Sequence, residues 1–384
     1  MIKPTRGPSP ATRVVEVGRE ADVWARGIKR GAAAEGEERR RPRRARAGAA
    51  MADKPSRALV LYAAGHAALL TPPTGSAAAG SHLDAFASRA SCGFLTLRSP
   101  PASPPTTGAE ENSSTILELA QLLDVYDHLY PGKNAETGLE VAQVDPQELV
   151  VPKLSERFMG LRAAMVTNCP RISSFAANLG FHVFQTNDFA AQSGSSSVTK
   201  EAGVINRAFG LLGFSDGNVQ EASEFDLVFM HVAMENTSSK LGKLGMKADL
   251  NRLEKLVGTI MEAAPIGSAI ASRIHVSLIL SYGSASGNKD EFSISTSSAE
   301  TDSDLNLLRP RQSCTMKAGH ALEDVRLHHP ILLAQWQEGV TRVDLVKEFS
   351  FEEFMKRGGN LAMLAERFLP EVAFKLWKAP KYGA

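Results

Sequence analysis

Three histidines, His66, His231 and His320, fall near the C-terminal ends of apolar, strand-like runs, where α/β sheets keep their sites. Imidazoles meeting there would suit a transition-metal ion if several ligands shared the right geometry. His231 lies inside its own apolar run, however, and a core imidazole bonded to backbone is the usual occupant of such a position. Ser114, His320 and an acid would make a hydrolase triad, but the chain has no G-x-S-x-G elbow to expose the serine. Lys240 follows Asn236 by four residues in a Lys- and Gly-rich loop, where an ammonium can hold an anion such as phosphate or simply face solvent. Cys169 precedes Pro170 with no basic neighbour to activate it, which reads as an inert thiol.

The elements that must position these groups alternate along the chain. Short apolar runs predict strands at Ala58–Tyr62, Ala163–Thr167, Phe181–Thr186, Asp226–Met234, Ile274–Ser281 and Ile331–Trp336. None alternates apolar with polar residues, as expected of strands covered on both faces. Helical periodicity predicts helices over His82–Ala90, Ser114–Tyr130 and Arg171–Leu179, the last ending at Gly180, a natural C-terminal stop. A further helix is expected after Asp249 as its cap, and another over Asn360–Trp377. Strand–helix–strand order of this kind implies an α/β fold, a doubly wound, mostly parallel sheet between helical layers. The Pro-rich Ser99–Glu111 and the Ser- and acid-rich Gly283–Asp304 interrupt the pattern and read as surface loops.

Composition narrows the function classes. The 384 residues are 43% apolar and 22% charged, an ordinary balance for a folded protein. The net charge of +1 is uneven: residues 1–50 hold 13 Lys or Arg against 6 Asp or Glu, which leaves the remainder mildly acidic. The folded part is therefore not expected to bind nucleic acid. Residues 1–54 read as a basic, disordered leader, with Met51 a plausible alternative start. The six acids and single serine of residues 1–50 make organelle import the less favoured reading. No apolar run approaches the length of a membrane span, and three scattered cysteines suit a reducing compartment, so a cytoplasmic protein is expected.

With its segments in this order, the chain resembles the metal-dependent, cofactor-independent phosphoglycerate mutases of the archaeal type, within the alkaline phosphatase superfamily. The resemblance rests on Gly80–Gly93 (GSHLDAFASRASCG), Leu154–Val166 (LSERFMGLRAAMV), Phe225–Val232 (FDLVFMHV) and Arg342–Pro370. It implies an alkaline-phosphatase-like core and a site where two divalent cations, such as Mn or Zn, support a serine nucleophile in phosphoryl transfer. Residue by residue, the family's ligands do not carry over. The first Asp falls on Tyr62, the nucleophile on Ser114 or Thr115, and the Asp-x-x-x-His pair on Asn236 and Lys240. The Asp-His pair falls on Gly283 and Ser284, and only the last His persists, as His320. The family's substrate-binding cap is replaced by a connection over residues 131–153. Residues 55–384 are thus expected to form a phosphomutase-like core with no cofactor and no catalytic residues. The expected role is a non-catalytic scaffold that binds a protein partner or a small phosphorylated metabolite. The alternatives are a mutase or phosphatase with a rearranged metal site and a phosphometabolite sensor.

Overall fold

The computed structural model describes residues 56–70, 81–98, 110–129, 151–191, 200–233, 242–283, 316–317, 320–322, 325–359 and 361–380. The basic leader, most of the Pro-rich loop, most of the 131–153 connection and nearly all of the 283–304 excursion lie outside these residues, as do Asn236, Lys240 and Ser284.

Eight strands make one sheet. In chain order the first four are β1 (Arg57–Ala63), β2 (Ser91–Arg98), β3 (Ala163–Val166) and β4 (His182–Phe184). A small hairpin of β5 (Phe214–Ser215) and β6 (Asn218–Val219) precedes β7 (Leu227–Val232) and β8 (Ile274–Leu280). A second hairpin, β9 (Met316–Lys317) and β10 (His320–Ala321), leads to β11 (Val325–Trp336) and β12 (Ala362–Leu364). The sheet order is β12-β2-β11-β8-β1-β7-β3-β4, with β11 antiparallel to both neighbours and every other pair parallel.

Helices cover both faces. They are α1 (His82–Ala87), α2 (Glu110–Leu122), α3 (Tyr126–Leu129), α4 (Leu154–Arg157), α5 (Pro170–Asn178), α6 (Thr186–Ala191), α7 (Lys200–Leu211), α8 (Gly242–Ala263), α9 (Phe351–Arg357) and α10 (Phe368–Lys375). Side chains alternate across a strand, so β1 serves two cores at once. Leu59, Leu61 and Ala63 pack into the core with α1, α7, α8 and α9, while Ala58, Val60 and Tyr62 pack into the core with α2, α5 and α10. All seven residues of β1 are buried, which explains its unbroken apolar run. The α/β, doubly wound, mostly parallel architecture is the one expected from the sequence.

Several local expectations are corrected. β2 and α7 were not foreseen. Residues 360–377 are not one helix: β12 and a 3-10 turn at Ala365–Arg367 precede α10. Asp249 does not cap α8 but lies within it, near its middle. The strand expected from Ile331 begins at Val325 and takes up a register shift between Arg326 and Ile331, where His329 adopts a φ of 49°.

One ion-pair network joins the α2–α3 corner to the sheet. Arg98, at the end of β2, donates to Asp127 on α3 and, at 3.0 Å, to Glu366. Lys317 bridges the same two carboxylates, 2.5 Å from Asp127. Arg98 also lies 4.6 Å over the Tyr126 ring. The network anchors the chain just before it enters the 131–153 connection.

Candidate functional site

The candidate site is built where β1, β3, β7 and β8 end. In the parallel register Tyr62 sits beside His231 on one side and Ile279 on the other. The rings of Tyr62 and His231 are 5.8 Å apart. Tyr62 is fully buried and donates its hydroxyl to Glu118 Oε2 at 2.6 Å. Glu118 is buried too, and the Ser281 hydroxyl, just past β8, hydrogen-bonds with both groups. Burial raises the Glu118 carboxyl above its ordinary range, against the hydrogen bonds from Tyr62 and Ser281 and the distant charge of Arg326. Burial and the neighbouring carboxylate push the Tyr62 phenol well above its usual value, so it stays a donor.

The loops leaving β1 and β8 are fastened together. Gly65 N–H donates to Ser281 Oγ at 3.2 Å, Ala67 N–H to Ser281 O at 3.0 Å, and Ser281 N–H to Ala63 O at 3.2 Å. Gly283 has a φ of 63°, and a Cβ there would meet Gly65 Cα at 3.3 Å. Glycine is therefore demanded twice at this position, by conformation and by the close approach of two backbones.

Two histidines border this arrangement. His66 donates from Nδ1 to Ala64 O at 2.9 Å, which leaves Nε2 a buried lone pair with no hydrogen bond among the described residues. His231 is not in mid-strand but next to last in β7, and its Nδ1 meets the Thr167 hydroxyl at 3.0 Å rather than backbone. Thr167 in turn accepts from Cys169 N–H at 3.1 Å. Burial, reinforced by His66, pushes the His231 imidazole down to about 4, and burial lowers His66 as well. A cavity of about 20 Å³ lined by Thr186, His231 and Arg252 has room for one water.

The residues singled out from sequence are only partly gathered here. Tyr62 lies near the end of β1, and Gly283 three residues past the end of its neighbour β8. Ser114 and Thr115 lie inside α2 and are half-buried, and Glu118, one turn further along, is the α2 residue that meets Tyr62. His320 lies in β10, paired with Lys317 in the small hairpin. Asn236, Lys240 and Ser284 fall outside the described residues. Glu118, Ser281 and Thr167 were missed. The available signal for Glu118 was a single acid inside the apolar run Ile116–Leu123.

The two divalent cations implied by the resemblance do not fit the groups present. In the correspondence that the resemblance implies, a phenol held as a hydrogen-bond donor and a glycine required by close packing stand where hard, charged oxygen and imidazole ligands would be needed. Among the described residues no three His, Cys, Asp or Glu side chains are grouped to hold a metal ion.

Removing the phenol hydroxyl tests the buried bond. Tyr62→Phe is expected to cost about 1.5–3 kcal/mol, the range for a hydrogen bond to a charged group, read as a lower urea midpoint with an unchanged slope. An unchanged midpoint would show that Glu118 does not depend on Tyr62.

The chain matches no protein-family model, and no curated protein matches it. Solved structures do match. The PH0037 protein from Pyrococcus horikoshii is 14% identical, with 86% of this chain and 99% of that chain covered and a TM-score of 0.49. A protein in the alkaline phosphatase superfamily from Vibrio parahaemolyticus is 10% identical, over 75% of this chain and 61% of that one, with a TM-score of 0.38. The cofactor-independent phosphoglycerate mutase from Thermoplasma acidophilum is 11% identical, over 59% of this chain and 38% of that one, with a TM-score of 0.31. A cofactor-independent phosphoglycerate mutase is thus one of the solved structures that match, at a low TM-score. At these identities the likeness is one of fold and says nothing about chemistry.

Proposed function

We propose that this chain is a non-catalytic, phosphomutase-like scaffold that acts by binding a partner in the cytosol. The observation that carries this reading is the Tyr62–Glu118 hydrogen bond, 2.6 Å long, with Ser281 joined to both groups. Side chains that satisfy one another, in place of ligands open to cations, leave no bimetal centre to activate a nucleophile. The fastened β1 and β8 loops and the one-water cavity support the same reading, since a phosphosugar needs far more room. Among the described residues no helix is long and apolar enough to cross a membrane.

One observation favours the alternative of a rearranged metal or phosphometabolite site. The His66 Nε2 lone pair is buried, without a donor, beside His231. Thermal unfolding after chelation, with Mn²⁺, Zn²⁺ or Mg²⁺ restored singly, separates the two readings. A metal at a hundred times its Kd adds about 2.7 kcal/mol to the native state, a rise of several degrees in a chain of this size. No shift with any metal is the expected outcome. A shift with one metal that disappears in His66→Gln would overturn the non-catalytic reading.

A further inference from the structure

A second polar cavity lies at the opposite edge of the sheet, where the parallel strands begin. It encloses about 220 Å³ between Ser91, Gln335, Thr341, Arg342, Glu371 and Lys375. At a liquid share of about 30 Å³ per molecule, that is space for about seven waters. Ser91 opens β2, and Gln335 on β11 pairs with it in register. Glu371 and Lys375 stand one turn apart on α10.

The charges in this cavity are unevenly satisfied. Arg342 is held by Asp344 at 2.5 Å and reaches Ser91 Oγ at 3.4 Å. Asp344 also accepts from the backbone N–H groups of Cys92 and Gly359, so this pair belongs to the wall. Glu371 and Lys375 have the spacing and order at which helical side chains ordinarily pair. Among the described residues, however, neither forms a salt bridge within 4 Å, and the Lys375 ammonium instead meets His275 Nε2 at 3.5 Å. His275 is fully buried; its Nε2 also lies 3.3 Å from the Gln335 amide nitrogen and 3.3 Å from the Ser277 hydroxyl, and among the described residues its Nδ1 has no hydrogen-bond partner. Burial disfavours the charged forms of both Glu371 and Lys375; each is partly compensated by the other without a salt bridge, and Glu371 also by Arg367. The result is one cation and one anion, both partly desolvated, lining the same cavity.

A simple anion would satisfy Lys375 and be repelled by Glu371, and a simple cation would meet the reverse. A molecule carrying both charges a few ångströms apart satisfies the two together. We infer that this cavity binds a small zwitterion of the α-amino-acid type, its carboxylate toward Lys375 and Arg342 and its ammonium toward Glu371. The Ser91 hydroxyl, which accepts from Arg342 at 3.4 Å, lines the same space and can bond a polar substituent, whereas the Thr341 hydroxyl is taken up by Gln337. The site is independent of the Tyr62 end of the sheet.

Calorimetric titration of the full chain tests the assignment. The probes are glycine, L-serine and L-glutamine, with acetate and ethylamine each supplying one of the two charges. At least one amino acid is expected to bind at least about tenfold more tightly than either half-ligand, since two charge-assisted contacts then act together. Lys375→Met and Glu371→Gln should each weaken that binding by about tenfold or more. If either variant fails to fold, the comparison of whole and half ligands on the native chain decides alone. Acetate binding as tightly as every amino acid would replace the zwitterion site with a plain anion site. Absence of binding by all three amino acids at millimolar concentration would overturn the inference.

Discussion

Arg98→Met is expected to lower the unfolding free energy by about 3 kcal/mol, the low end of the range for breaking a buried ion pair from one side. The loss should appear as a lower midpoint in urea, at constant slope. Arg98 is nearly buried and Glu366 is almost completely so, with side-chain exposures of 9% and 3%. Without the guanidinium, Glu366 keeps Lys317 as its partner, which holds the cost near the lower bound. Asp127 is far more exposed and can turn to water. The charge left uncompensated is therefore mainly that of Glu366. The double variant Arg98→Met, Glu366→Leu should regain much of the loss, because an apolar pair asks for no compensation. If the double variant is as unstable as the two single changes combined, the pair is not the source of the effect.

Acidification should destabilise the protein through its buried histidines. Burial holds His231 at about 4, and it lowers His66 and His275 in the same direction. Each is therefore neutral in the fold, while the unfolded chain takes up a proton near pH 6.5. Between these values the unfolded state binds more protons, so stability is full above pH 6.5 and falls as pH drops toward 4. For His231 the interval corresponds to roughly 3 kcal/mol. Glu118 works the other way: its raised carboxyl favours the protonated fold and contributes stability that is lost as pH rises through its folded value. Comparing the native chain with His231→Phe isolates the imidazole. Between pH 7 and pH 4 the native chain should lose roughly 3 kcal/mol more than the variant. Parallel curves for the two proteins would show that His231 titrates freely in the folded state.

How legible these features were depended on whether local pattern or tertiary contact decided them. β1, β3, β7 and β8 follow from unbroken apolar runs, because both faces of each strand are covered. β2 hid behind Ser91 and Gly93, which weaken the strand signal at its start, and its place is decided by pairing with β11 and β12. α7 contains Gly203 and Gly210, which lower helix propensity and are overridden by packing against α8. At the candidate site, Tyr62 and Gly283 were singled out only through the resemblance, not through a pattern of their own. Glu118 was not, since a single acid in an amphipathic helix normally faces solvent. Only the placement of α2 over β1 turns that carboxylate inward onto the phenol.

The central position of β1 also sets a timetable for synthesis. Among the described residues β1 is the first strand made, yet its neighbours are β7 and β8, beginning at Leu227 and Ile274. Roughly 165 residues must follow β1 before its first edge can be paired, roughly 8–33 s at about 5–20 residues per second. Through that interval RALVLYA, a run with no proline and one charge, stands exposed on the nascent chain. The same strand that later joins both cores is thus the segment for which a chaperone has the longest opportunity to compete.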